Sequence, residues 1–142
     1  MKQKQIWEEL KMKLTNTQVI TLLNGFSELQ NKKLPVKVGF AITKNMKVME
    51  SSASAYESER SKIVGKYAKK DENGNPVVNN GRYVFGNQKD QDGYTQEVNE
   101  LLEIENDVDI QTVTLDDLER CDDDKYDQLS VHDLTILEIM TE

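Results

Sequence analysis

The spacing of eight residues constrains this chain more than any other feature. Ile42, Met46, Met49, Ala53, Tyr56, Arg60, Ile63 and Tyr67 follow one another at steps of 4, 3, 4, 3, 4, 3 and 4. That is a heptad register, and it puts all eight on one stripe of a continuous α-helix. At ~1.5 Å per residue the stretch predicts roughly 39 Å of helix. Val38 extends the stripe back by one turn, and Pro35 suits the first helical position, where its missing N–H is not needed. A rod of that length in a chain of 142 residues is a scaffold along which the other elements pack. The stripe mixes methionine, alanine, tyrosine and arginine with two isoleucines, whereas a self-associating zipper would be rich in Leu and Ile. The expected partners are therefore helices of the same chain, with a homotypic coiled coil as the alternative. Arg60 on the stripe either reaches past its own stem or pairs with an acid from the second half.

The flanks supply those helices. Val19, Leu22, Leu23, Phe26 and Leu29 predict a first helix over about Thr17 to Gln30, capped by Thr15 or Asn16, with Gly25 marking a close helix crossing. Asp71 to Pro76 is turn chemistry, and Val77-Val78, Asn79-Asn80-Gly81 and Arg82 to Phe85 predict a short hairpin. Gly86 to Gly93 reads as polar loop, followed by a helix over about Thr95 to Glu105 and a half-buried strand built on Val108 and Ile110. Asp116 to Asp127 reads as an acidic connector, and Ser130 with Asp133 is a capping-box pattern opening a last helix. The expected fold is α+β: a long-helix scaffold (helical hairpin) with a small, mostly antiparallel sheet and a C-terminal helix. Residues 12–142 form one domain in this reading. Residues 1–11 are an N-terminal extension or a translated leader, because Met12-Lys13-Leu14-Thr15-Asn16 resembles a second start.

Charge is divided along the chain. Residues 1–70 carry a net +8 and residues 71–142 a net −16. Either the halves neutralise each other or one faces a charged partner. The overall −8 disfavours direct nucleic-acid binding, despite lysine clusters at Lys32, Lys33, Lys37, Lys44 and Lys47 and at Lys62, Lys66, Lys69 and Lys70. Cys121 is the only cysteine, which excludes an internal disulfide and fits a reducing cytoplasm. Its acidic neighbours oppose thiolate formation. One histidine, His132, excludes a His-rich metal centre. No apolar run approaches the ~20 residues of a membrane span.

Most enzyme chemistries have no foothold here. There is no phosphate-cradling Gly-rich loop, nucleophile elbow or Cys–His pairing. Gln88, Asp90, Asp92 and Gly93 imitate part of a calcium loop, but Asn99 stands where a bidentate Glu is required, and the segment reads as a turn. Glu103, Glu105, Asp107 and Asp109 read as a solvated face. The expectation is a non-enzymatic protein with no cofactor and no metal. Two sets of residues stand out for binding. Asp116, Asp117, Glu119, Asp122, Asp123, Asp124 and Asp127 form the densest acidic segment and suit a partner with a basic surface. Arg60, Lys62, Lys66, Tyr67, Arg82 and Tyr83 lie near the helix–hairpin junction and suit a small anionic ligand such as a nucleotide, with the aromatics stacking.

A set of ordered blocks points to a family. Met12 to Asn16, Leu34-Pro35-Val36-Lys37, Lys44-Asn45-Met46-Lys47, Tyr56-Glu57 with Arg60, Lys66-Tyr67, Asp71 to Asn75, Glu100-Leu101-Leu102 and Val108-Asp109-Ile110 together resemble small proteins of tailed phages and prophages of low-GC Gram-positive bacteria (domain-of-unknown-function family 1617). The resemblance covers residues 12 to roughly 140, carries no catalytic signature, and implies expression in a bacterial host cytoplasm. Together with the acidic stretch from Glu97 to Asp133, whose carboxylates can stand in for phosphates, this leads to the expectation of a non-enzymatic phage accessory protein that binds another protein, for instance an acidic inhibitor of a host defence or nucleic-acid-binding protein. The alternatives are a phage assembly factor forming a homo-oligomer through the long helix, and a sponge for a small anionic nucleotide signal.

Overall fold

A computed structural model describes residues 9–141 of the chain. The heptad stripe is realised as α2, Val36–Tyr67, an uninterrupted helix of 32 residues. Pro35 stands one position earlier than expected, as its N-cap, with its carbonyl accepting from Gly39 N–H. Ile42, Met49 and Tyr56 are buried, and the other stripe residues are half-buried. Val38, Ala41, Asn45 and Val64 widen the buried face.

The first half of α2 packs on α1, Asn16–Leu29. Thr15 caps α1 through a capping box with Gln18: the Thr15 hydroxyl accepts from Gln18 N–H, and Gln18 Oε1 accepts from Thr15 N–H. The expected close crossing at Gly25 is present, and its partner is the last helix, where a Cβ on Gly25 would lie 2.6 Å from Ile136 Cγ1.

The second half of α2 packs on α3, Gln88–Glu103. This corrects the polar loop expected over Gly86 to Gly93. Asn87 caps the helix by accepting from Asp90 N–H at 2.8 Å, so α3 starts two turns earlier than its apolar periodicity suggests. Gly93, read as a turn residue, is helical; a Cβ there would meet the Tyr67 ring at 2.5 Å. Gln88 and Asp92 are joined side chain to side chain on this helix, not arranged as a turn or calcium loop. The free carbonyls at the end of α3 are satisfied by the start of α1: Asn16 Nδ2 donates to Leu101 O at 2.7 Å and the Thr17 hydroxyl to Leu102 O at 3.2 Å.

Between α2 and α3 lies the expected hairpin, β2 (Val78–Asn79) and β3 (Arg82–Tyr83). Asn80 and Gly81 have φ of 53° and 76°, the paired left-handed conformation of a type I′ turn. The preceding turn is organised by Asp71, whose carboxylate accepts from Asn73 and Asn75 N–H.

The sheet of the core is a different pair. Strand β4, Glu105–Gln111, runs antiparallel to β1, Glu9–Thr15, a strand not anticipated. Leu14, Val108 and Ile110 enter the core, while Lys11 and Lys13 stand opposite Asp109 and Asp107 on the outer face. The expected boundary at Met12 therefore falls inside a strand, with Glu9, Leu10 and Lys11 paired to β4; residues 1–8 lie outside the described residues.

After β4, the expected acidic connector is structured. Leu115–Glu119 forms α4 and Arg120–Asp122 a short 3-10 helix. The last helix, α5, is Val131–Glu138, opened by the anticipated Ser130–Asp133 capping box. Ile136, Leu137 and Met140 are buried with the inner residues of α1, α2 and β4 in one core. The fold is α+β, a long-helix hairpin with a small antiparallel sheet and a C-terminal helix, as the sequence predicted.

Candidate functional site

The acidic segment is shaped by two ties. At its start, the Thr114 hydroxyl accepts from Asp117 N–H while Asp117 Oδ2 accepts from Thr114 N–H, which buries the Asp117 carboxylate in its own capping box. At its end, Asp127 Oδ2 accepts from Lys33 N–H at 2.7 Å and Asp127 N–H donates to Lys33 O at 3.0 Å, pinning the segment to the loop after α1. Asp117 is thus buried and Asp127, though exposed, is tied to the fold; Asp116, Glu119, Asp122, Asp123 and Asp124 are exposed, with Asp123 Oδ1 accepting from Lys125 N–H at 3.1 Å. Asp122, Asp123 and Asp124 line a cavity of about 510 Å³ together with Cys121, Tyr126, Gln128, Leu129 and Leu134. Its lining joins acidic with apolar side chains, and Leu134 is 44% exposed. The cysteine below is buried, and burial, with Asp122 and Asp117 adding to it, pushes its thiol pKa up and away from nucleophile chemistry.

The second candidate set is divided by the structure. Arg60, Arg82 and Tyr83 come together around a cavity of about 330 Å³. Lys62 points elsewhere and pairs with Glu59 at 2.8 Å; Lys66 pairs with Glu97 at 3.1 Å. Tyr67 packs on Gly93 and, through a side-chain hydrogen bond, is the first cause holding the Glu97 carboxyl below its ordinary value, with Lys66 next. The remaining walls are Gly81, Phe85, Gln91, Tyr94 and Thr95. Gln91 lies within, and Tyr94 beside, the Gly86 to Gly93 segment, whose polar residues and bounding glycines read as loop. Asn87 followed three residues on by Asp90, a helix-start pattern, was the signal that could have placed them.

Part of the charge division is resolved inside the molecule. Lys32, in the turn after α1, pairs with Asp133 of α5 at 2.7 Å, and Lys66 pairs with Glu97. Burial opposes ionisation of Asp133, but hydrogen bonds from Lys32, from Ser130 N–H and from the Ser130 hydroxyl outweigh it, so its pKa lies below the ordinary carboxylate value. A depressed folded-state pKa stabilises the fold above the unfolded value, near ~4, and that contribution is lost as pH falls through the folded value. Asp133→Asn is therefore expected to cost about 1 kcal/mol at neutral pH. Urea titrations across the acid range should show the gap to the wild type closing below pH ~4; a gap independent of pH would rule this account out. His132, next to Asp133, is exposed in the first turn of α5, in keeping with a surface role.

No helix among the described residues is long and apolar enough to cross a membrane. No protein-family model matches the chain, and no curated protein or solved structure matches it.

Proposed function

We propose that the protein acts by binding another protein through the acidic cavity beside α5. The observation carrying this reading is the combination in one concavity of three consecutive carboxylates, Asp122, Asp123 and Asp124, with the apolar side chains of Leu129 and Leu134. The described ion pairs, Lys32–Asp133, Lys62–Glu59 and Lys66–Glu97, leave all three of these carboxylates out. Of the two cations in this segment, Arg120 and Lys125, the second sits over the Tyr126 ring at 5.2 Å. Such a surface complements a basic segment bearing one apolar anchor: the carboxylates take the basic side chains, as phosphates of a nucleic acid do, and Leu129 and Leu134 take the anchor. In the setting implied by the family resemblance, the partner is a host or phage protein that handles nucleic acid, and the chain is a non-enzymatic accessory factor.

An assembly role through the long helix is less well supported. The heptad stripe of α2 faces α1, α3 and β4, so a second copy would have to displace them.

The test is a titration of Arg/Lys-rich peptides, with and without a leucine or phenylalanine anchor, at low and high salt. Binding should weaken steeply with salt. Joint replacement of Asp122, Asp123 and Asp124 by Asn should weaken it about thirtyfold, from roughly 2 kcal/mol for three exposed pairs. Salt-independent binding, or binding unchanged in the triple variant, would overturn the proposal.

A further inference from the structure

A second concavity, on the opposite end of α2 from α1, has the chemistry of an anion receptor. Three elements meet there: Arg60 from α2, Arg82 and Tyr83 from the hairpin, and Tyr94 from α3. Tyr94 is the hub of an aromatic cluster, with Tyr83 at 6.2 Å between ring centroids and Phe85 at 5.1 Å. Arg60 is half-buried and forms no ion pair with any described carboxylate; its surroundings are the hydroxyl-bearing rings of Tyr94, Tyr56 and Tyr83. Burial works against its charge, but a guanidinium stays protonated throughout the physiological range, and Tyr94 shares a side-chain hydrogen bond with it. Arg82 is exposed at the rim.

A half-buried guanidinium with no described carboxylate beside it, a second, exposed guanidinium and a cluster of aromatic rings are three features that one ligand would satisfy together. We infer that this cavity binds a mononucleotide, its phosphate held by Arg60 and Arg82 and its base stacked against the Tyr83–Tyr94–Phe85 cluster. Size favours one nucleotide over a longer chain: about 330 Å³ lies at the lower end of the ~300–1,000 Å³ range of small-molecule sites. The acid-rich surroundings of the molecule as a whole, at net −8, disfavour a polyanion that would have to run past this pocket. The site is separate from the acidic cavity and does not depend on the protein-binding proposal.

Isothermal titration of the full chain with the four 5′-ribonucleoside monophosphates, the matching nucleosides and inorganic phosphate tests the inference. At least one monophosphate should bind more tightly than both its nucleoside and phosphate, and should raise the unfolding midpoint with concentration. Arg82→Ala, a change at an exposed position, should weaken that binding tenfold or more without moving the midpoint of the free protein. Arg60→Gln should weaken it further, and Lys62→Ala should leave it unchanged. Absence of binding by all four monophosphates, phosphate binding as tightly as the nucleotides, or full affinity in Arg82→Ala would each overturn the assignment.

Discussion

Asn45→Leu is expected to destabilise the fold by about 3 kcal/mol, a large share of the ~5–15 kcal/mol by which native domains are stable. Asn45 lies on the buried face of α2 and is fully enclosed. Its Oδ1 accepts from Gln111 N–H at 2.7 Å and its Nδ2 donates to Gln111 O at 3.0 Å. One side chain thus takes the place of a missing third strand, meeting both backbone groups that the last residue of β4 turns toward the helix. Leucine fills nearly the same volume but leaves a buried donor and a buried acceptor without partners, each costing roughly 1–3 kcal/mol. Asn45→Asp separates the contributions. As a carboxylate it can only accept, so Gln111 O is orphaned and a charge is buried; once protonated, it can accept and donate as the amide does. Burial raises the pKa of such an acid. Its deficit relative to the wild type should therefore be large at neutral pH and shrink as pH falls through the raised value. Urea unfolding at two pH values measures this, and a deficit that grows toward acid would contradict it.

Gly25→Leu is expected to cost about 3 kcal/mol, at the upper end for overpacking. Gly25 is buried where α1 crosses α5, and a Cβ would already stand 2.6 and 2.7 Å from Ile136 Cγ1 and Cδ1. Ile136 is buried among core residues and has little room to retreat. The diagnostic is a double-mutant cycle. Ile136→Ala alone should cost about 2–4 kcal/mol through its cavity. In that background Gly25→Ala should become stabilising, because the space is vacated and alanine favours the helix by ~1 kcal/mol over glycine. Thermal or denaturant unfolding of the four proteins would show additivity if the crossing were looser than described.

The elements that read correctly are those whose pattern is local and strong. The heptad steps gave α2 over nearly its whole length, the Thr15 and Ser130 caps marked two helix starts, and Asn80-Gly81 marked the hairpin turn. The misses have specific causes. Leu10, Met12 and Leu14 alternate with Lys11 and Lys13, a strand signal hidden by reading Met12 as a boundary. Gly86 and Gly93 bracket residues that read as loop, yet Gly93 serves the approach of Tyr67 to α3. Of the candidate acids, Asp117 and Asp127 proved to be structural ties, because a carboxylate's hydrogen-bond partners depend on which backbone N–H groups the fold brings to it.

What the sequence determined by itself is the scaffold: periodicity and capping are set by residues three or four apart, and a helix obeys them wherever it sits. The tertiary structure alone decided which charges are spent and which remain. Lys32 finds Asp133 and Lys66 finds Glu97 across the fold, while among the described residues Asp122, Asp123 and Asp124 form no ion pair with a cation and Arg60 none with a carboxylate. Those assignments depend on distances between residues far apart in the chain, because an ion pair forms only within a few ångströms and nothing in local spacing encodes that approach.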